Sequence, residues 1–204
     1  MNFLDFRELF EKYPVFSIKE IEKHAPNFNK KNLVNWQKKN YLQKIRNGWY
    51  RIRKEIKNEH ELFYIANKIY SPSYISLESA LSYHALIPEQ SFIVTSAAGL
   101  KTQNFKTPNY AFSYQNLKHE LMFGYLLDNS DKFTFKIAEP EKACLDFLYL
   151  HSEIKTREDL AAMRIDKETA KQIITRERLR QYTSLFKSNV MYKKSSMLEN
   201  YIYA

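Results

Sequence analysis

Five histidines and one cysteine are the first side chains to weigh for acid–base, nucleophilic or metal chemistry. His119-Glu120 opens like the zinc-protease helix His-Glu-x-x-His, but Phe123 stands where the second histidine belongs. A single cysteine forms neither a Cys-x-x-Cys pair nor a disulfide within the chain, which fits a reducing cytoplasm. Its setting, Ala143-Cys144-Leu145 on an apolar helix, reads as a buried and inert thiol. Glu141 and Asp146 lie five positions apart, a poor spacing for an acid/base pair. Lys142 and Asp146, four apart, read as an ordinary surface pair. Nucleotidyl transfer would need a Gly-Ser turn and paired aspartates, yet no glycine precedes a serine and no Asp-x-Asp occurs. Only Gly48, Gly99 and Gly124 are present, too few for a phosphate loop or a dinucleotide fingerprint. The expectation is a protein that is not an enzyme, with no cofactor and no metal.

Charge is more informative. The net charge is +9, and residues 1–60 hold 14 basic and 7 acidic side chains, against 18 and 16 in residues 61–204. Between Lys30 and Lys57 stand ten basic residues and one acid, Glu55. A surplus concentrated in one segment points to an anionic partner for that segment. No uncharged run exceeds the eleven residues of Gln90–Leu100 or Thr107–Leu117, too short for a membrane-spanning helix. Asp5 and Arg7 interrupt the N-terminus where a signal peptide would be apolar.

The elements that would position these charges follow from periodicity. Residues 3–12 have helical spacing. Ser17 caps a short helix Ile18–His24, and Asn29 a third, about Lys30–Asn40, with Leu33, Val34 and Trp36 inward. Tyr41–Arg46 and Trp49–Lys54 flank Asn47-Gly48, the strongest short hairpin mark. Three helices and a hairpin are the layout of a winged helix-turn-helix over residues 1–57. A connecting helix, His60–Tyr70, and a break fill 58–73. Residues 74–204 read as an α+β domain: a strand at 74–75, a helix Ser76–Leu86, strands at Ser91–Ser96, Phe105–Tyr114 and Phe133–Ile137, and an undecided Leu117–Tyr125. Helices Pro140–His151, Thr156–Ile165, Lys167–Leu185 and a last segment follow. The fold class expected is α+β, ending in helices.

A two-residue turn pairs Arg46 with Trp49, Ile45 with Tyr50, Lys44 with Arg51 and Gln43 with Ile52. Ile45, Tyr50 and Ile52 would face the helices. Lys44, Arg46, Arg51 and Arg53 would share the outer face, a like-charge arrangement suited to a phosphate backbone. On the third helix Lys31, Asn32 and Asn35 are placed to reach base edges of duplex DNA. Lys30, Lys38 and Lys39 would join the hairpin cations on phosphates.

Four stretches carry a family resemblance. They are Ile45–Ile52, Tyr74–Glu89 (YISLESALSYHALIPE), Phe105–Pro108 with the aromatic strand Tyr110, Phe112 and Tyr114, and Ile137–Leu150 (IAEPEKACLDFLYL). In this order they resemble the AbiEi-type antitoxins, the antitoxin and transcriptional regulator of type IV toxin–antitoxin systems. Ala85 replaces a glycine frequent in the family, and Cys144 an aliphatic residue. The resemblance implies a cytoplasmic regulator in which the winged helix represses its own operon by binding operator DNA. It also implies that the second domain counters a nucleotidyltransferase-like toxin, with or without stable contact. Two alternatives stay open: a winged-helix regulator whose second domain senses a ligand, and a restriction-like or nucleotide-modifying enzyme.

Overall fold

A computed structural model describes residues 1–89, 92–129 and 132–204. The architecture is mixed α+β: N-terminal helices with a small antiparallel sheet, a six-stranded mixed sheet, then C-terminal helices. The first part contains α1 (Phe3–Phe10), β1 (Phe16–Ser17), α2 (Ile18–His24), α3 (Lys31–Lys38), β2 (Leu42–Arg46) and β3 (Trp49–Ile52). Local chemistry sets the starts of the first two helices. Asn2 and Asp5 form a reciprocal cap on α1, as Ser17 and Glu20 do on α2. Asn29 Oδ1 accepts from the Lys31 amide at 3.0 Å, and Lys30 is the residue that precedes α3. Asn40, at φ 59°, turns the chain out of α3 toward β2.

The second part begins with α4 (Glu59–Ile69), β4 (Ser73–Ile75), α5 (Leu77–Tyr83) and β5 (Ile93–Ala98). β6 (Gln103–Lys106), β7 (Ala111–Asn116), a 3-10 turn at His119–Leu121, β8 (Tyr125–Asp128) and β9 (Phe135–Ala138) follow. The strand expected at Ser91–Ser96 thus starts at Ile93, while Ser91 lies outside the described residues. The undecided stretch 117–125 becomes that turn plus the start of β8. Sheet order is β6-β7-β5-β4-β9-β8. The β4/β9 and β5/β7 pairs are parallel and the rest antiparallel.

Helices α6 (Pro140–Leu150), α7 (Arg157–Ala161), α8 (Lys167–Ile173), α9 (Arg176–Leu185) and α10 (Asn189–Tyr203) complete the chain. The sequence predicts one helix over Lys167–Leu185. Instead the chain breaks at Ile174-Thr175, where Thr175 caps α9 and its amide donates to the buried Glu141 carboxylate at 2.8 Å. Helix α6 packs between α5, α9 and α10, with nearly every side buried, so it reads as polar in places yet sits in the centre. Among the described residues, no helix is long and apolar enough to cross a membrane.

Among the described residues, two apolar cores result. The N-terminal one gathers Phe6, Phe10, Phe16, Ile21, Leu33, Trp36, Leu42, Tyr50 and Ile52. The larger one fills the second part, but it also takes in Val15 and Ile45, with Trp49 packed against it. The β2–β3 hairpin therefore has a core on each face.

Candidate nucleic-acid interface

The hairpin register differs from the expected one. Leu42 pairs with Ile52, Gln43 with Arg51, Lys44 with Tyr50 and Arg46 with Trp49, with an irregularity at Ile45. Gly48 takes φ 79°, and Asn47 is not among the residues with positive φ. Lys44 does not oppose Arg51, and Ile45 turns away from the three helices into the larger core.

Arg51 is the main correction. It is 1% exposed, so it does not join an outer cationic face. Its Nη2 donates to Glu61 Oε1 on α4 at 3.2 Å, and Glu61 is buried as well. Burial lowers the guanidinium pKa, opposed by the charge of Glu61 and by Tyr110 beside it. Arg46 is also drawn inward. It donates to the Ile69 carbonyl at 2.7 Å and lies 4.7 Å above the Phe105 ring and 5.6 Å from that of Tyr70. A guanidinium on two aromatic faces is a packing element of this junction.

The other named residues divide by partner. Lys30 Nζ is 2.6 Å from Glu22 Oε1. Arg53 donates to Asn40 Oδ1 at 2.7 Å and stays exposed. Asn32 is half-buried, with Nδ2 3.5 Å from the Met1 carbonyl. Lys31, Asn35, Lys38 and Lys39 project from the exposed side of α3 while Leu33 and Trp36 face the core. Val34, expected inward, is 53% exposed and widens this outer face. Lys44 is exposed on β2. Among the described residues, the ion pairs include none of Lys31, Lys38, Lys39 or Lys44. These four cations and Asn35 form a surface able to meet phosphates and base edges.

Sequence reasoning did not single out a second basic stretch, part of which lies against the hairpin. Strand β2 touches β6, and the segment from Phe92 to His119 holds Lys101, Lys106 and Lys118 with no acidic residue. All three lysines are exposed. The signal was present as an acid-free stretch, but only the β2–β6 contact places it beside the hairpin.

The Pro-Glu-Lys-Ala helix holds a second constellation. Lys142 and Asp146 form a fully buried ion pair, not the surface pair their spacing suggested. Tyr74 OH donates to Asp146 Oδ2 at 2.8 Å and accepts from Lys142 Nζ at 2.8 Å, while Ser76 Oγ donates to Asp146 at 2.8 Å. Ser76 thus precedes α5 without a side-chain cap. The rings of Tyr74, Phe123 and Phe186 surround the ammonium. Burial drives the Asp146 carboxyl above its ordinary range and the Lys142 ammonium below its own; each opposes the other's shift. Such a closed network fixes β4 to α6 and offers no surface to a substrate. Cys144 is buried, with its thiol pushed up to about 12 by desolvation. Among the described residues, no three His, Cys, Asp or Glu side chains gather as they would around a metal ion.

No protein-family model matches the chain, and no curated protein matches it in sequence.

Proposed function

We propose that this chain is a DNA-binding antitoxin that represses its own toxin–antitoxin operon and counteracts a nucleotidyltransferase-like toxin. In this reading α1–α3 and the β2–β3 hairpin form a winged helix-turn-helix, with α3 in the major groove and Lys44 on the backbone. The observation that carries the DNA part is the outer face of α3. There, Lys31, Lys38 and Lys39 surround Asn35 without carboxylate partners, while Leu33 and Trp36 hold the opposite face. The antitoxin part rests on the likeness of Tyr74–Glu89 and Ile137–Leu150 to the AbiEi-type family. The protein acts in the cytoplasm by binding, without turnover.

The test uses a reporter driven by the DNA upstream of this gene, together with cells expressing the toxin encoded beside it. Lys31→Glu with Lys38→Glu should abolish repression. Supplied from an unrelated promoter, the same variant should still protect the cells. Protection lost in step with repression would make repression itself the antitoxin mechanism, and unchanged repression would remove α3 from the DNA interface. Nucleotide turnover by the purified protein with magnesium or manganese would overturn the non-enzymatic reading.

A further inference from the structure

The last helix carries an outward stripe that neither core uses and that is separate in sequence from α3. Tyr192, Ser196 and Asn200 recur every fourth residue along α10, so they stand one above another, and all three are exposed. Two open grooves share this stripe. One, of about 570 Å³, is also lined by Arg157 from the start of α7, Lys193, Met197 and Tyr201. The other, of about 500 Å³, is also lined by Arg180, Thr183, Ser195 and Glu199.

Charge distinguishes the two grooves. Arg180 donates to both carboxylate oxygens of Glu199, at 2.9 and 2.6 Å, so its charge is matched within the protein. Arg157 and Lys193 are exposed, and among the described residues no ion pair includes them. Lys167 Nζ lies 4.3 Å over the Tyr201 ring and adds a third cation on that side. Tyr192 is 45% exposed, an aromatic ring left in solvent beside Lys193. Unmatched cations suit phosphates, an exposed ring suits the face of a base, and an amide with a hydroxyl suits base or sugar edges.

We propose that this face of α10 binds single-stranded nucleic acid, with one base stacked on Tyr192 and adjoining phosphates held by Arg157 and Lys193. Ser196, about 6 Å further along the helix, lies in line to hydrogen-bond the same nucleotide, and Asn200, about 12 Å along, the next one. Stacking on Tyr192 needs an unpaired base, which excludes a duplex. A free nucleotide would need an enclosed pocket that buries most of its surface, whereas both grooves are open and share the stripe of Tyr192, Ser196 and Asn200. The proposal stands apart from the reading of α3, since its residues and its ligand are different.

The experiment is fluorescence anisotropy of the full chain with a fluorescein-labelled, mixed-sequence RNA octamer, run beside the DNA octamer of the same sequence and uridine monophosphate as competitor. Tyr192→Ala with Lys193→Gln should weaken octamer binding about ten-fold or more, and Tyr192→Phe, which keeps the ring, should stay within about two-fold. Arg157→Gln, on another helix, should weaken binding and lower its salt dependence by about one phosphate. Lys31→Gln with Lys38→Gln should weaken octamer binding less than Tyr192→Ala with Lys193→Gln does, and a 4-thiouridine octamer should crosslink within residues 189–203. Binding by either octamer at this face upholds the proposal, and the preferred one identifies the strand. Three results would overturn it: no octamer binding, uridine monophosphate competing as well as unlabelled octamer, or a loss seen in the Lys31/Lys38 variant but not in the Tyr192/Lys193 variant. Circular dichroism of each variant separates lost binding from lost fold, and Arg157→Gln decides the matter should the Tyr192 variant unfold.

Discussion

Arg51 and Glu61 meet at 3.2 Å, across the junction between the hairpin and α4, and both are almost entirely shielded from solvent. Breaking a buried pair by removing one partner leaves the other charge uncompensated, at a cost of about 3–5 kcal/mol. Arg51→Met should therefore lower stability to urea by about that amount, and Arg51→Met with Glu61→Leu should recover much of it. Salt dependence of DNA binding by the folded fraction should not change, because Arg51 does not reach the surface. A flatter salt slope in Arg51→Met would return this residue to the DNA interface.

The cations that do reach solvent give the complementary result. Lys31→Gln, Lys38→Gln and Lys44→Gln together should flatten log K against log salt by about 2–3 units in a duplex titration. Asn35→Ala should cost about 1–3 kcal/mol of discrimination between operator and random DNA, with little loss on random DNA. Equal losses on both would make Asn35 a backbone contact.

His84 supplies a pH test. Its Nε2 lies 2.8 Å from the Ala138 carbonyl, and burial lowers its pKa below the ordinary 6.5. The unfolded chain then binds a proton more readily than the folded one below pH 6.5. This contribution is complete above that value and is lost as pH falls toward the folded-state pKa. Melting temperature should drop on acidification from pH 7.5 to 5.5, and His84→Gln should reduce that drop. An identical pH profile in the variant would show that His84 is not its source.

Gly124 and Gly48 separate two costs of adding a methyl group. Both have positive φ, 65° and 79°. A Cβ at Gly48 meets nothing within 4 Å, whereas one at Gly124 falls 3.0 Å from Tyr182 Cε2 and 3.1 Å from the Lys142 side chain. Gly48→Ala should cost about 1–2 kcal/mol from the backbone alone. Gly124→Ala should cost more, because it also presses on the buried Lys142–Asp146 pair. Chemical denaturation measures both, and equal losses would mean that the Lys142 side chain yields freely.

Much of the fold was legible because local chemistry announces itself. Ser17 with Glu20, Pro140 at the start of α6 and Gly48 in the hairpin act through neighbours in sequence. The hairpin's register was hidden because a strand pattern is read on the premise that one face meets solvent. Here Ile45, Trp49 and Arg51 face a second core, which alternation alone cannot reveal. Arg51 and Lys142 read as surface charges for the same reason: Glu61 lies ten residues beyond the first, and Tyr74 lies 68 residues before the second. Among the residues expected to meet DNA, the sequence placed Lys31, Asn35, Lys38 and Lys39 outward, because Leu33 and Trp36 define the opposite side of α3, while Lys44 is exposed on β2 in a register the sequence did not show.

A hairpin clasped on both faces leaves α3 no tether on which to swing. The linker entropy that a loosely attached reading head would lose at a surface is largely lost here already, during folding. A fragment ending at residue 57 would bare Val15, Ile45 and Trp49 and strand the Arg51 charge, so it should be less stable than the same segment within the whole chain. In the proposed complex, rotational phase would then belong to the whole chain, because turning α3 in a groove would turn the six-stranded sheet with it.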